Sequence, residues 1–304
     1  MAYLWIIIAG VCWGLIGIFT KAITKFGFTE MEMLFIKGIV SAIFLFVLLF
    51  VKDKKSFRLK KKGDLFYFVG TGILSFTFFS WCYLKAINMI SIGVAAVLLY
   101  TAPTIVMLLS IILFKEKMTK RKGVVLLMTL CGCALVTGVF GGRIMITPLG
   151  LLAGMGSAIG YALYSIFGTF ALRREYNSLT ISFYTFLLAS VFMSFCVNPI
   201  HVVQKITEKG QWPLNIVFAV MTTVVPYLCY TKGLSKLPAS KASVTATIEP
   251  VVAAILGIVV FKESITVSKI GGILLVVGAV VLMNMGKMPE AVEIEETLET
   301  REEQ

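Results

Sequence analysis

Apolar residues in this chain run in long, nearly unbroken stretches, and polar residues gather in the short gaps between them. A helix needs about 20 apolar residues to cross the hydrocarbon core of a bilayer. Runs of about that length predict ten spans, at 3–22, 33–51, 65–84, 91–113, 123–140, 148–170, 178–198, 214–231, 240–260 and 270–286. The connections leave no room for a soluble domain, and the longest basic one is KDKKSFRLKKKGD, residues 52–64. The opening MAYLWIIIAG has no basic start and stays apolar to Thr20, which predicts a first transmembrane helix rather than a cleaved signal peptide. Thr29-x-x-Glu32, ahead of the second run, reads as a helix capping box. The expected fold class is an all-α membrane protein.

Composition supports this. Of the 304 residues, 58% are apolar and 14% are charged, against roughly 45–50% and about 25% in an average soluble domain. A soluble enzyme, a disordered chain and a nucleic-acid-binding domain are all excluded as readings on that balance. The net charge of +12 then reads as topology rather than as affinity for nucleic acid. With the N-terminus inside, 19 of the 28 Lys and Arg residues fall on the inner side and 8 on the outer, leaving Lys37 within a span. That bias predicts a multi-pass protein of the cell membrane with both termini cytoplasmic. The residues after Lys287 form an acidic tail. The six cysteines, Cys12, Cys82, Cys131, Cys133, Cys196 and Cys229, lie in apolar segments and read as small hydrophobes.

An internal repeat is the most informative feature. Residues 82–122 align without gaps on 229–269 at an offset of 147, with 13 identities in 41 positions. Cys82-Tyr83-x-Lys85 matches Cys229-Tyr230-x-Lys232, Pro103 matches Pro250, and Phe114-Lys115-Glu116-x-x-Thr119 matches Phe261-Lys262-Glu263-x-x-Thr266. Shared apolar composition does not explain paired Pro, Tyr and Lys-Glu in register. The chain therefore divides into two halves of five spans, 3–140 and 148–286, followed by the acidic tail 287–304. Five is odd, so the second half enters the membrane in the opposite orientation. Inverted repeats of this kind recur in secondary transporters, with a site near the midplane. Pro103 and Pro250 fall mid-span, where each interrupts the helix, and interrupted spans at equivalent places point to the transport site.

These motifs resemble the drug/metabolite transporter superfamily in its EamA-type branch, over residues 3–286. The features that carry the resemblance are Ala95-x8-Pro103 with Phe114-Lys115-Glu116-x-x-Thr119, and Ala242 with Ile248-Glu249-Pro250, Phe261-Lys262-Glu263-x-x-Thr266 and Gly271-Gly272. Trp13-Gly14 in the first span also fits. The resemblance implies ten helices and transport of small metabolites, often amino acids or related compounds, frequently as export. Lys37 departs from it, since the family commonly has Arg in the second span.

Only Lys37 and Glu249 are ionisable and lie well inside spans. Each costs at least roughly 2.5–3.5 kcal/mol at a helix centre, so each is a site candidate. Glu249, whose repeat counterpart is Ala102, could bind an ammonium group or exchange a proton. The plainer alternative is a carboxylate satisfied by neighbouring hydroxyls or by Lys37. Lys37 either serves substrate or gating, or snorkels to the outer surface with Glu30 and Glu32. Trp13, Tyr100 and Tyr161 are candidates for an amphipathic cavity wall, with core packing as the alternative. Tyr83 and Tyr230 read as interfacial belt residues near span ends. Gly10-x-x-x-Gly14, Gly150-x-x-x-Gly154 and Gly156-x-x-x-Gly160 read as helix-packing surfaces.

No catalytic constellation or phosphate-binding Gly-x4-Gly-Lys-[Ser/Thr] loop is present, and His201, the only histidine, is expected in a loop beside Pro199. The expected function is a secondary transporter for a small organic molecule in the lipid bilayer, with no cofactor, drawing on a proton, an ion or exchange. The alternatives are a lipid-linked or nucleotide-sugar carrier and a non-transporting membrane sensor or structural subunit.

Overall fold

The computed structural model describes residues 1–52, 54–139 and 146–285. The expected acidic tail, with Lys287 and Arg301, and Arg143 lie outside these residues. Among the described residues the ordered elements are all helices. They are α1 (Ala2–Thr24), α2 (Glu30–Lys52), α3 (Lys62–Met89), α4 (Ile92–Phe114), α5 (Lys120–Val136), α6 (Pro148–Arg173), α7 (Ser178–Met193), α8 (Pro199–Glu208), α9 (Trp212–Leu234), α10 (Ala239–Phe261) and α11 (Val267–Asn284). Eight of them, all but α5, α7 and α8, are long and apolar enough to cross a membrane. The outward faces carry Ile43, Phe46, Val47 and Phe50 on α2, Leu108 and Ile112 on α4, and Leu127 and Leu274 on α5 and α11. That much exposed apolar surface suits lipid rather than water. Helices satisfy their own backbone groups, which makes them the natural element for such a chain.

α5 and α7 answer to the expected spans 123–140 and 178–198 but have 17 and 16 residues. The apolar run after Met193 continues to Val197, yet the helix stops there for a local reason. Asn198 caps the next helix by accepting from the His201 amide at 3.2 Å, and Pro199 takes its first turn. His201 therefore sits in a helix, not in the expected loop. α8 buries Val202 and Ile206 beside Phe28, Met33 and Phe218. Lys205 ties it to α2 through Glu32 at 2.8 Å and donates to the Gly27 carbonyl at 2.7 Å. The capping box at the start of α2 is present, with the Thr29 amide on the Glu32 carboxylate at 2.7 Å and the Glu32 amide on the Thr29 hydroxyl at 3.3 Å.

The aligned stretches fold alike. α4 and α10 start and end 147 residues apart. Each is broken ahead of its proline: α4 after Leu99, resuming at Ala102, and α10 after Ala246, resuming at Ile248. Pro103 and Pro250 thus stand in the first turn of a new segment, where a missing N–H removes no helical bond. Both helices end on a lysine in the left-handed region, Lys115 at φ 59° and Lys262 at φ 56°. The next amide then reaches back, from Glu116 to the Ser110 carbonyl at 3.2 Å and from Glu263 to the Gly257 carbonyl at 3.1 Å. Thr119 and Thr266 cap the helices that follow, each accepting an amide at 3.2 Å. Lys122 returns to Glu116 at 3.2 Å, and Lys269 to Glu263 at 2.9 Å. The repeated Lys-Glu-x-x-Thr is therefore a helix-reversing turn.

Packing crosses between the two halves. α2 lies along α7, and α5 along α11. α1 packs on α9 and α10, while α6 packs on α3 and α4. Glycine allows the closest approaches. A Cβ at Gly10 would lie 2.4 Å from Ile248 Cγ2, and one at Gly14 would lie 2.7 Å from Val252 and 3.1 Å from the Glu249 carbonyl. α1 therefore rests directly on the break in α10. The basic loop is pinned beneath α6 and α7: Tyr176 donates to Asp64 at 2.9 Å, and Tyr184 donates to the Phe57 carbonyl at 2.6 Å. Its Lys54, Lys55, Arg58, Lys60, Lys61 and Lys62 remain exposed.

Candidate functional site

α10 breaks at Thr247, whose hydroxyl turns back to the Val244 carbonyl at 2.6 Å. The segment that resumes at Ile248 carries Glu249 in its first turn. The free amides of a helix N-terminus carry partial positive charge, so this is where a carboxylate inside a membrane is least costly. The Tyr161 hydroxyl of α6 approaches Glu249 at 3.5 Å. No basic group lies within 4.0 Å of the carboxylate among the described residues.

Beside Glu249 is a small cavity between α1, α3, α6 and α9. Trp13, Ser75, Phe79, Tyr161, Tyr164, Ser165, Tyr227 and Tyr230 line it, and its free volume of about 10 Å³ has room for roughly one water. Trp13, where α1 bends, is the centre of the cluster. Its ring lies 6.1 Å from Tyr161, 5.5 Å from Tyr227 and 5.4 Å from Tyr230, centre to centre. Two of the ring hydroxyls are held by partners: Tyr230 pairs with Ser165 at 2.6 Å, and Tyr164 with Thr231 at 2.7 Å. Two of the helices that supply the wall, α3 and α9, are locally widened to π-helix, at Gly70–Thr77 and Val220–Val224. Such widenings shift the side-chain register and frequently mark functional positions.

The structure places the expected residues unevenly. Trp13 and Tyr161 line the cavity, and Glu249 stands at its edge through Tyr161. Tyr100 sits apart from that wall, packed with Cys133, Val251 and Val276. Lys37 does not snorkel. It is 8% exposed, with its ammonium over the rings of Phe218 at 5.3 Å and Phe76 at 5.8 Å. Tyr230 is not a belt residue either, since it is 2% exposed and faces the cavity. The Tyr164–Ser165 and Tyr227 wall positions are additions. Their signal was the i, i+3 spacing Tyr161-x-x-Tyr164 and Tyr227-x-x-Tyr230, which puts each pair on one helix face.

Residues 1–138 and 148–285 each match the EamA-like transporter family. The chain belongs to that family. Among curated relatives, it is 28% identical over 210 residues to an uncharacterized transporter of Archaeoglobus fulgidus, covering 66% of this chain and 70% of the other. It is 25% identical over 262 residues to the uncharacterized transporter YetK of Bacillus subtilis, covering 84% and 79%. It is 26% identical over 225 residues to the threonine/homoserine exporter RhtA of Escherichia coli, covering 73% and 69%. A crystal structure superposes with a TM-score of 0.78 over 93% of this chain and 96% of that one, at 16% identity, which speaks to the fold. The family and these relatives are transporters, not enzymes, and this EamA-family chain is accordingly a multi-pass membrane protein.

Proposed function

We propose that this EamA-family chain is a secondary transporter that moves a small organic metabolite, an amino acid or related compound, out of the cell by alternating access. On this reading it has ten spans in two halves of opposite orientation, 3–140 and 148–286, with both termini and the tail 287–304 in the cytoplasm. The cross-packing of α1 on α9 and α10, and of α6 on α3 and α4, supports two halves related by a two-fold axis. The exporter relative named for threonine and homoserine supports the substrate class.

The observation that carries the reading is Glu249, a carboxylate in the first turn of a broken helix beside an aromatic cavity. It supplies a negative charge for an ammonium group or a proton, and Trp13, Tyr161, Tyr164, Tyr227 and Tyr230 supply a wall for the organic part. The two reversing turns support the movement. At one, Ser240 of α10 donates to Glu116, whose side chain is 9% exposed; at the other, Glu263 is 50% exposed. The Glu116 turn is thus bonded to the opposite half by a hydroxyl that the Glu263 turn lacks. Pro103 and Pro250 mark the breaks about which the segments would move, with Tyr100 at the edge of the first.

Proteoliposomes loaded with a mixture of the twenty standard amino acids test this. We expect efflux of one or a few of them, lost in Glu249→Gln. Wild-type liposomes that release none refute the transport reading. Glu249→Gln transport equal to wild type at every pH refutes the role of the charge.

A further inference from the structure

We infer that Lys37, with the hydroxyls of Ser41 and Thr223, is the subsite for the carboxylate of a zwitterionic substrate whose ammonium group lies at Glu249. The inference rests on the transport reading above and assigns its second charge.

Burying an ammonium group is costly unless it is paired. The chain shows one settled solution at Lys122, which meets Glu116 at 3.2 Å and the Lys117 carbonyl at 2.9 Å. Lys37 is different: it is also buried, yet no carboxylate lies within 4.0 Å of it among the described residues. The two ring faces offset only part of the cost. Ser41 is one turn on from Lys37, on the same side of α2. Thr223 lies in the widened part of α9, which packs against α2 just beyond Phe218. The hydroxyls of Ser41 and Thr223 are both buried without a hydrogen-bond partner. Buried polar groups left unpaired are few in folded proteins and ask for a reason. The ammonium can only donate and each hydroxyl can donate as well as accept, so a carboxylate, with about four lone-pair sites, satisfies all three together.

A free anion is not the best occupant, because Glu249, also without a basic group within 4.0 Å among the described residues, meets the other end of the same aromatic cluster through Tyr161. A ligand with a charge at each end compensates both groups, whereas an anion alone leaves Glu249 unmatched. Between them runs a continuous aromatic path: Phe76 to Tyr227 at 5.9 Å, Tyr227 to Trp13 at 5.5 Å, and Trp13 to Tyr161 at 6.1 Å. That path gives the substrate's side chain an apolar surface with polar edges.

The test takes the amino acid that leaves the mixture-loaded liposomes fastest, together with its methyl ester and its deaminated 2-hydroxy acid, as competitors of its own flux. Wild type should prefer the parent over both. Lys37→Gln should weaken the parent by about tenfold to a hundredfold and leave the ester unchanged. Lys37→Arg should restore most of the difference. Ser41→Ala with Thr223→Val, which keeps the charge and so guards against a misfolded Lys37 variant, should weaken the parent several-fold and spare the ester. If the Lys37 and hydroxyl variants weaken parent and ester equally, or neither, the carboxylate subsite is wrong while amino acid transport stands. If wild type moves no amino acid, the transport reading itself falls.

Discussion

The repeated turn allows one sequence motif to be tested in two environments. Glu116 and Glu263 occupy equivalent positions, bond to equivalent lysines six residues on, and follow equivalent left-handed lysines. Their surroundings differ. Lys122 and Glu116 have side-chain exposures of 0% and 9%, and Ser240 adds a third group to the first pair. Lys269 and Glu263 have exposures of 16% and 50%. Removing one partner of a buried ion pair costs about 3–5 kcal/mol, since the remaining charge stays desolvated. An exposed pair is worth roughly 0–1 kcal/mol. The Lys117 carbonyl still accepts from Lys122, which places Glu116→Ala toward the lower end, at about 3 kcal/mol. Melting in mild detergent reads the difference. At roughly 2–4 °C per kcal/mol, Glu116→Ala should lower the midpoint by about 6–12 °C, and Glu263→Ala by about 4 °C or less. Equal shifts would refute the reasoning, because they would mean that the motif acts locally and burial decides nothing. A larger shift at Glu263 would refute it more strongly.

Three further outcomes follow from contacts. Gly14→Val should cost about 1–3 kcal/mol and slow efflux, because a Cβ there meets Val252 at 2.7 Å and displaces the segment carrying Glu249; Gly17→Val, where nothing lies within 4 Å, is the control on the same helix. Tyr230→Phe should cost about 1–2 kcal/mol in melting by leaving the buried Ser165 hydroxyl without its 2.6 Å partner, while Tyr83→Phe should cost less. Outside the spans, the Lys60 ammonium at 2.7 Å holds the Glu175 carboxyl below its usual range. A lowered folded-state value stabilises above the unfolded value and is lost as pH falls, so any melting difference between wild type and Glu175→Gln should be small at neutral pH and vanish near about pH 3 or in about 1 M salt.

The fold was largely legible because membrane helices announce themselves by length and composition, and because a repeat doubles every local signal. Thr29-x-x-Glu32 and the Lys-Glu-x-x-Thr turns could be read from spacing, since their bonds join residues three to six apart. α8 was not legible as a helix, because its apolar positions Ile200, Val202, Val203 and Ile206 are too few to stand out beside 20-residue runs. The site was half legible. Trp13, Tyr161 and Glu249 come together, yet the contact joins α1, α6 and α10, which no local pattern links. The snorkelling alternative for Lys37 and the belt reading of Tyr230 came from the same rule, that polar groups near a span end reach outward. Both instead face inward, because each lies against helices from the opposite half: Lys37 on Phe218, Tyr230 on Trp13.

What repeats and what does not divides along the line that transport requires. If two halves exchange shapes to open one side and then the other, the parts that fasten each end must occur twice. The reversing turns and the proline breaks do. A single small substrate has no two-fold axis, so the groups that hold it must occur once. Glu249 faces no counterpart, since position 102 is alanine. Ser240 is the instructive exception among the fastening parts, because position 93 is glycine and offers Glu263 no hydroxyl. The two turns are then unequally held, with Ser240 bonding only the Glu116 turn to the opposite half. Ser240→Ala removes that bias without touching the cavity. It should raise the reactivity of a cysteine placed at Ala239, 2% exposed and on the Glu116 side, and lower efflux only modestly. Unchanged reactivity would mean that the hydroxyl decorates the turn and does not hold the end closed.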